Sequence, residues 1–172
     1  MEFWDVCDRN GVPTGEKREK NSFYGPDEYH PAVELWILNS KNQLLIQKRS
    51  GSCQLYPDIW SITAGRVQAG ETPVEGCIRE GYEELGVKFS REELIHFGHI
   101  NRDDGSHMIW DAYLARLDWK EEEFILDPAE VAEVKWKTEE EMEHLIDAEQ
   151  IFVYPEIRDF LHLIRDRYMT EK

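Results

Sequence analysis

Gly65-Arg66-Val67-Gln68-Ala69-Gly70-Glu71-Thr72-Pro73-Val74-Glu75-Gly76-Cys77-Ile78-Arg79-Glu80-Gly81-Tyr82-Glu83-Glu84-Leu85-Gly86-Val87 reads as a glycine loop that runs into a capped helix carrying spaced carboxylates. Thr72 suits the N-cap, Pro73 the first helical position, and Glu75 the reciprocal place in a capping box. Gly86 suits the left-handed residue after the last turn. These signals predict a helix from about Pro73 to Leu85. At about 100° per residue, Val74, Cys77, Ile78, Gly81 and Leu85 share one apolar stripe, and Glu80, Glu83 and Glu84 lie within roughly 100° of arc beside it. The stripe is expected to dock the helix, leaving the carboxylates toward a cleft. Gly76 and Gly81 each cost about 1 kcal/mol relative to Ala, so Gly81 on the docking stripe predicts close approach of a neighbouring backbone.

Three carboxylates at i, i+3 and i+4 repel one another, and a divalent cation relieves the repulsion. An oxygen-only donor set favours Mg²⁺ or Mn²⁺ over zinc. Arg79 lies four residues after Glu75 and four before Glu83, where a guanidinium can bridge carboxylates. An isolated Glu-x-x-Glu-Glu is more often a solvated acidic face. Here the preceding glycine loop and strand favour a site.

The stretch resembles the Nudix box, Gly-x5-Glu-x7-Arg-Glu-U-x-Glu-Glu-x-Gly-U with U apolar. All seven specified residues match, whereas Gly81 stands where a larger apolar residue is usual and Val87 fits. A chance match in so acidic a chain is on the order of one in a hundred thousand.

The resemblance extends to Trp4-Asp5-Val6-Cys7-Asp8, Tyr29-His30-Pro31-Ala32-Val33, Leu44-Leu45-Ile46-Gln47-Lys48-Arg49-Ser50 and Pro57-Asp58-Ile59-Trp60-Ser61-Ile62-Thr63-Ala64-Gly65. These segments look like the Nudix branch related to isopentenyl-diphosphate isomerase. Those isomerases use a cysteine and a histidine in the loop after the Trp-containing strand, together with a histidine-rich metal site. Here Trp60 to Val67 contains neither residue; His30 resembles one family histidine, and Phe23 or its neighbours stand where another is expected. A missing acid/base thiol removes a proton-transfer group, so hydrolysis is favoured over isomerisation. A non-catalytic binding module is the third reading, and its usual sign, lost box carboxylates, is not seen.

For hydrolysis the resemblance implies that Glu80, Glu83 and Glu84 hold Mg²⁺ or Mn²⁺ with the Gly65 carbonyl, that Arg79 belongs to the catalytic group, and that Glu71 supports Arg79. A carboxylate outside the box often joins such sites, and Asp103, Asp104, Asp111, Glu130 and Glu133 all qualify. Arg49 and Arg66 are candidate phosphate contacts. Trp60, with Tyr56, Trp110 and Phe97, is a candidate base platform.

The whole chain agrees with a small soluble enzyme. Its 172 residues predict a single domain over 1–172 with a sizeable core. A formal charge of −16 argues against nucleic-acid polymers as partners, and no apolar run is long enough to span a membrane. The expected partner is a small diphosphate-containing substrate, with a homodimer allowed. Cys7, Cys53 and Cys77 form no disulfide framework, and the N-terminus lacks signal-peptide character, so a cytoplasmic protein is expected.

Patterning predicts an N-terminal hairpin (Phe3–Asp8, Val12–Lys17), strands over His30–Leu38, Gln43–Arg49 and Ile59–Thr63, and a second hairpin (Ile95–Arg102, Met108–Leu117). A strand over Val131–Trp136, a helix capped by Thr138 and reaching about Ile146, and a helix over Pro155–Arg167 complete the set. The fold class is α/β: a Nudix-like α/β/α sandwich with a mixed sheet and an N-terminal β-hairpin.

Overall fold

The N-terminal hairpin follows directly from its turn. Asp8 accepts the backbone N–H groups of Asn10 and Val12 at 2.8 and 3.0 Å through Oδ1, and Gly11 supplies φ +80°. Strands β1 (Phe3–Cys7) and β2 (Pro13–Glu19) flank this turn and pair antiparallel, with Trp4 opposite Arg18. The computed structural model describes residues 1–170, which divide into two compact units.

The first unit comprises Met1–Leu35, Ala64–Tyr82 and Lys88–Leu114. It holds the hairpin, the start of β3 (His30–Leu38), most of β6 (Thr63–Arg66), most of helix α1 (Pro73–Leu85), and the antiparallel pair β7 (Ile95–Asn101) and β8 (Met108–Arg116). Trp4, Val6 and Tyr24 form a buried cluster beneath the hairpin. Almost every residue of β3 is buried, which is how a strand covered on both faces reads.

The second unit comprises Trp36–Thr63, Glu83–Val87 and the described residues from Ala115 onward. Here β4 (Gln43–Arg49) pairs antiparallel with β5 (Trp60–Ser61) and, along its whole length, with β9 (Val131–Thr138). Thr138 ends β9 and caps α2 (Glu139–Asp147), accepting the Glu141 N–H at 3.2 Å while Glu141 accepts the Thr138 N–H at 2.8 Å. Ile157, Phe160, Leu161 and Ile164 form the buried stripe of α3 (Ile157–Tyr168). Strands β3 to β9 belong to one seven-stranded mixed sheet, distinct from the hairpin.

Among the boundaries that differ from the sequence reading, three have a plain cause in strand pairing or a turn. The strand expected over Ile59–Thr63 is two short ones, because β5 pairs with β4 whereas β6 pairs with β3, and Ile62 marks the change of partner. Strand β9 runs two residues past Trp136, because its register with β4 continues to Gln43 opposite Thr138. Helix α3 starts at Ile157, since Pro155 and Glu156 are spent in a turn closed by the Ile157 N–H to the Tyr154 carbonyl.

Candidate active site

Helix α1 begins as its sequence predicts. Glu75 accepts both the N–H and the hydroxyl of Thr72 at 2.8 Å, and Thr72 accepts the Glu75 N–H at 3.4 Å. At the other end Gly86 has φ +72°, and a Cβ there would collide with Ile125, whose N–H donates to the Leu85 carbonyl at 3.0 Å. Glycine is therefore required twice over, by conformation and by space. Between the caps, Cys77, Gly81 and Leu85 are buried, whereas Val74 and Ile78 are half-buried.

In the first unit the box residues converge. Arg79 donates from Nε to Glu71 Oε1 at 2.8 Å, from Nη2 to Glu71 Oε2 at 3.2 Å, and from Nη1 to Glu80 Oε1 at 2.8 Å. Its Nη2 also donates to the Arg66 carbonyl at 2.7 Å. Burial works against the Arg79 charge, but the hydrogen bonds to Glu71 and the charge of Glu80 outweigh it and push its pKa further up. One guanidinium thus ties the loop to the helix and aims Glu80. The Glu80 carboxyl occupies the space where a Cβ on Gly65 would stand. Helical spacing suggested Glu75 as a partner of Arg79, but Glu75 is held by the Thr72 cap and by Arg91 at 3.5 Å.

In the second unit Glu84 is buried and accepts a hydrogen bond from Gln47 Nε2 at 2.7 Å; Gln47 in turn accepts the Thr63 hydroxyl at 2.8 Å. A buried carboxylate requires such a partner. The hydrogen bonds from Thr63 to Gln47 and from Gln47 to Glu84 were missed in the sequence reading, although a glutamine after Leu44-Leu45-Ile46 in a strand with buried neighbours is a readable signal. Glu83, one residue earlier on the helix, is exposed.

The remaining candidates have separate structural engagements. Asp103 accepts from Arg9 at 2.8 Å and from the Tyr29 hydroxyl at 3.2 Å. Asp104 accepts the Ser106 N–H, Glu130 lies 3.6 Å from Cys53 Sγ, and Glu133 pairs with Lys135 at 3.1 Å. Asp111 is bound by two histidines of β7. Arg49 Nε donates to the Leu55 carbonyl at 3.1 Å, and Lys135 Nζ lies 5.2 Å over the Trp60 ring. The Arg66 guanidinium lies 4.9 Å over the Trp4 ring, and burial lowers its pKa.

Beside Arg66, the His30 ring is buried 4.3 Å from the Trp4 ring, and neither of its nitrogens has a hydrogen-bond partner. Burial first, and the Arg66 charge second, push its pKa down to about 3. The unfolded chain therefore takes up a proton below its ordinary pKa of about 6.5, which the folded chain refuses until about 3. Stability is full above the upper value and falls as the pH drops through this window. The total is roughly 4–5 kcal/mol at 1.36 kcal/mol per unit. Urea unfolding of wild type and His30→Phe at pH 7 and pH 4.5 is expected to show about 2–3 kcal/mol less acid loss in the variant. Equal acid loss in both would contradict the assignment.

The carboxylate-bearing helix is thus capped at both ends, preceded by a glycine loop and tied to that loop by one arginine. The NUDIX domain model matches residues 28–160. The chain belongs to the Nudix family. It is 31% identical over 159 residues to an uncharacterized Nudix hydrolase of Listeria monocytogenes, covering 90% of each chain. It is also 35% identical over 94 residues to isopentenyl-diphosphate Delta-isomerase of Escherichia coli, a match covering 54% of this chain and 52% of that one. The fold is that of a protein from Deinococcus radiodurans, with TM-score 0.76 and 24% identity over 97% of this chain and 99% of that one. Among the described residues no helix is long and apolar enough to cross a membrane.

Proposed function

We propose that the chain hydrolyses a phosphoanhydride in a nucleoside diphosphate derivative or related small diphosphate, with Mg²⁺ or Mn²⁺ held by Glu80, Glu83, Glu84 and the Gly65 carbonyl. The observation that carries this reading is the anchoring of the helix carboxylates: Glu80 by Arg79 and the space at Gly65, and Glu84 by Gln47. The donors are all oxygens, which fits a hard divalent ion. When bound, that ion neutralises diphosphate charge and acidifies an attacking water. The chain's own part is to hold the carboxylates in place: Arg79 spans Glu71, Glu80 and the loop carbonyl, while Thr63 orients Gln47 and Gln47 orients Glu84.

Isomerisation is disfavoured by the chain's thiols and by its buried histidine. Burial, followed by nearby carboxylates, pushes the Cys7 thiol up to about 11 and the Cys77 thiol up to about 12, so neither is ready for proton transfer near neutrality. His30 faces the positive charge of Arg66, an unfavourable place for a further cation. A cytoplasmic setting belongs to the same reading, with Cys7, Cys53 and Cys77 as free thiols.

The test is a Mg²⁺-supported screen of nucleoside diphosphate derivatives, nucleotide sugars, dinucleoside polyphosphates and prenyl diphosphates, with products identified by mass. Cleavage between phosphorus atoms in at least one nucleotide class is expected. Interconversion of the five-carbon prenyl diphosphate isomers at enzymatic rates would overturn the reading. Saturable binding without turnover would instead support a binding module.

A further inference from the structure

His96 and His99 are three residues apart on β7, a spacing that in a regular strand sends side chains to opposite faces. The register against β8 breaks between them: His96 lies opposite Tyr113 and Gly98 opposite Ala112, so Phe97 is an extra residue in a bulge. The bulge brings both imidazoles to one place. His96 Nε2 lies 2.7 Å and His99 Nδ1 2.9 Å from the same oxygen, Asp111 Oδ1.

We propose that His96, His99 and Asp111 form a binding site for a late first-row divalent cation, Zn²⁺ first. The three ligand-type atoms lie within 4.8 Å of one another, so two nitrogens and one oxygen face a common point. Imidazole nitrogen selects zinc-like ions over Mg²⁺, and three protein ligands with a water make up a four-coordinate site. Bonds of about 2.0–2.1 Å would separate the ligand atoms by roughly 3.3 Å, so each nitrogen would draw back from the Asp111 oxygen by about half an ångström from its present 2.7 or 2.9 Å. Both imidazoles are about half exposed (49%) and can make that movement. The Tyr113 ring meets His96 edge-on at 5.2 Å and forms one wall.

The other histidine-containing group, Glu139, Glu143 and His162, differs in kind. Its carboxylates already take Arg165 at 3.0 Å and Arg158, so guanidinium groups hold the cationic position. The proposed site lies outside the Gly65–Val87 stretch and does not rest on the hydrolase reading. A cation there would pin β7 to β8 at the bulge.

The test uses the full chain, stripped with chelator and kept in millimolar Mg²⁺ so that oxygen sites are occupied, titrated with Zn²⁺ by calorimetry and with Co²⁺ by visible absorption. One equivalent is expected in wild type and His162→Ala, with affinity at least ~10-fold weaker in His96→Ala and His99→Ala. At Zn²⁺ near 100 times the wild-type Kd the melting temperature should rise by roughly 5–10 °C in wild type and His162→Ala, and clearly less in His96→Ala and His99→Ala. Histidine NMR of the unmodified chain gives a readout that needs no variant, with Zn²⁺ shifts confined to two imidazoles and the Asp111 neighbourhood. Unchanged affinity in both histidine variants, shifts elsewhere, or no saturable binding would overturn the proposal.

Discussion

Glu83→Gln and Glu84→Gln should each lower turnover at saturating Mg²⁺ by at least ~10²-fold while leaving the fold intact, whereas Glu75→Gln should be nearly neutral for rate. The three glutamates lie on one helix but have different tasks. Glu75 closes the N-terminal cap through Thr72, so its amide variant forfeits about 1 kcal/mol of helix stability and little else. Glu84 is buried with Gln47 as donor, and a glutamine in its place retains an acceptor oxygen and similar volume while removing the charge. Loss of one charge from a repelling set stabilises the apo protein slightly, which separates lost chemistry from lost structure. Circular dichroism and thermal unfolding should therefore show Glu83→Gln and Glu84→Gln folded and at least as stable as wild type without added metal. Near-wild-type rates in both would place the chemistry away from these carboxylates.

Gly65→Ala should reduce turnover by roughly 10²-fold, although it adds a single methyl group. The Glu80 carboxyl fills the space that the new Cβ needs, and Arg79 holds that carboxyl from the other side at 2.8 Å. Glu80 has to rotate away and break its contact with Arg79, which on the proposed reading misplaces one of the carboxylates that would hold the metal. Gly70→Ala is a useful contrast, because nothing lies within 4 Å of its added Cβ and only the φ of +88° opposes the change. It should cost stability of about 1 kcal/mol and little rate. Equal effects on kcat for the two variants, after correction for folded fraction, would show that the fit of Glu80 against Gly65 does not matter for chemistry.

The features legible in the sequence are those with a local cause. The Thr72 and Thr138 caps, Gly86 after α1 and the Asp8 to Gly11 turn are each fixed by a few adjacent residues, and each stands where the pattern places it. The box residues were legible because their spacing follows one helix and one loop. What escaped depends on strand pairing. Gln47 supports Glu84 across 37 residues of chain, and its role follows only from where β4 lies. His96 and His99 meet Asp111 only because a bulge at Phe97 breaks the alternation on which strand reading rests. Arg79 took Glu71 and Glu80 rather than Glu75 for a related reason: the loop before the helix folds back to meet it, whereas Glu75 is consumed by the cap.

The most direct measurement follows turnover of the best substrate from the screen through three states of one sample: Mg²⁺-loaded, exhaustively chelated, and reloaded with Mg²⁺. Carboxylates that serve as ligands predict a fall of at least ~10³-fold on chelation and full recovery on reloading, with the folded fraction constant throughout. Turnover unchanged after chelation would contradict a metal-assisted site on α1.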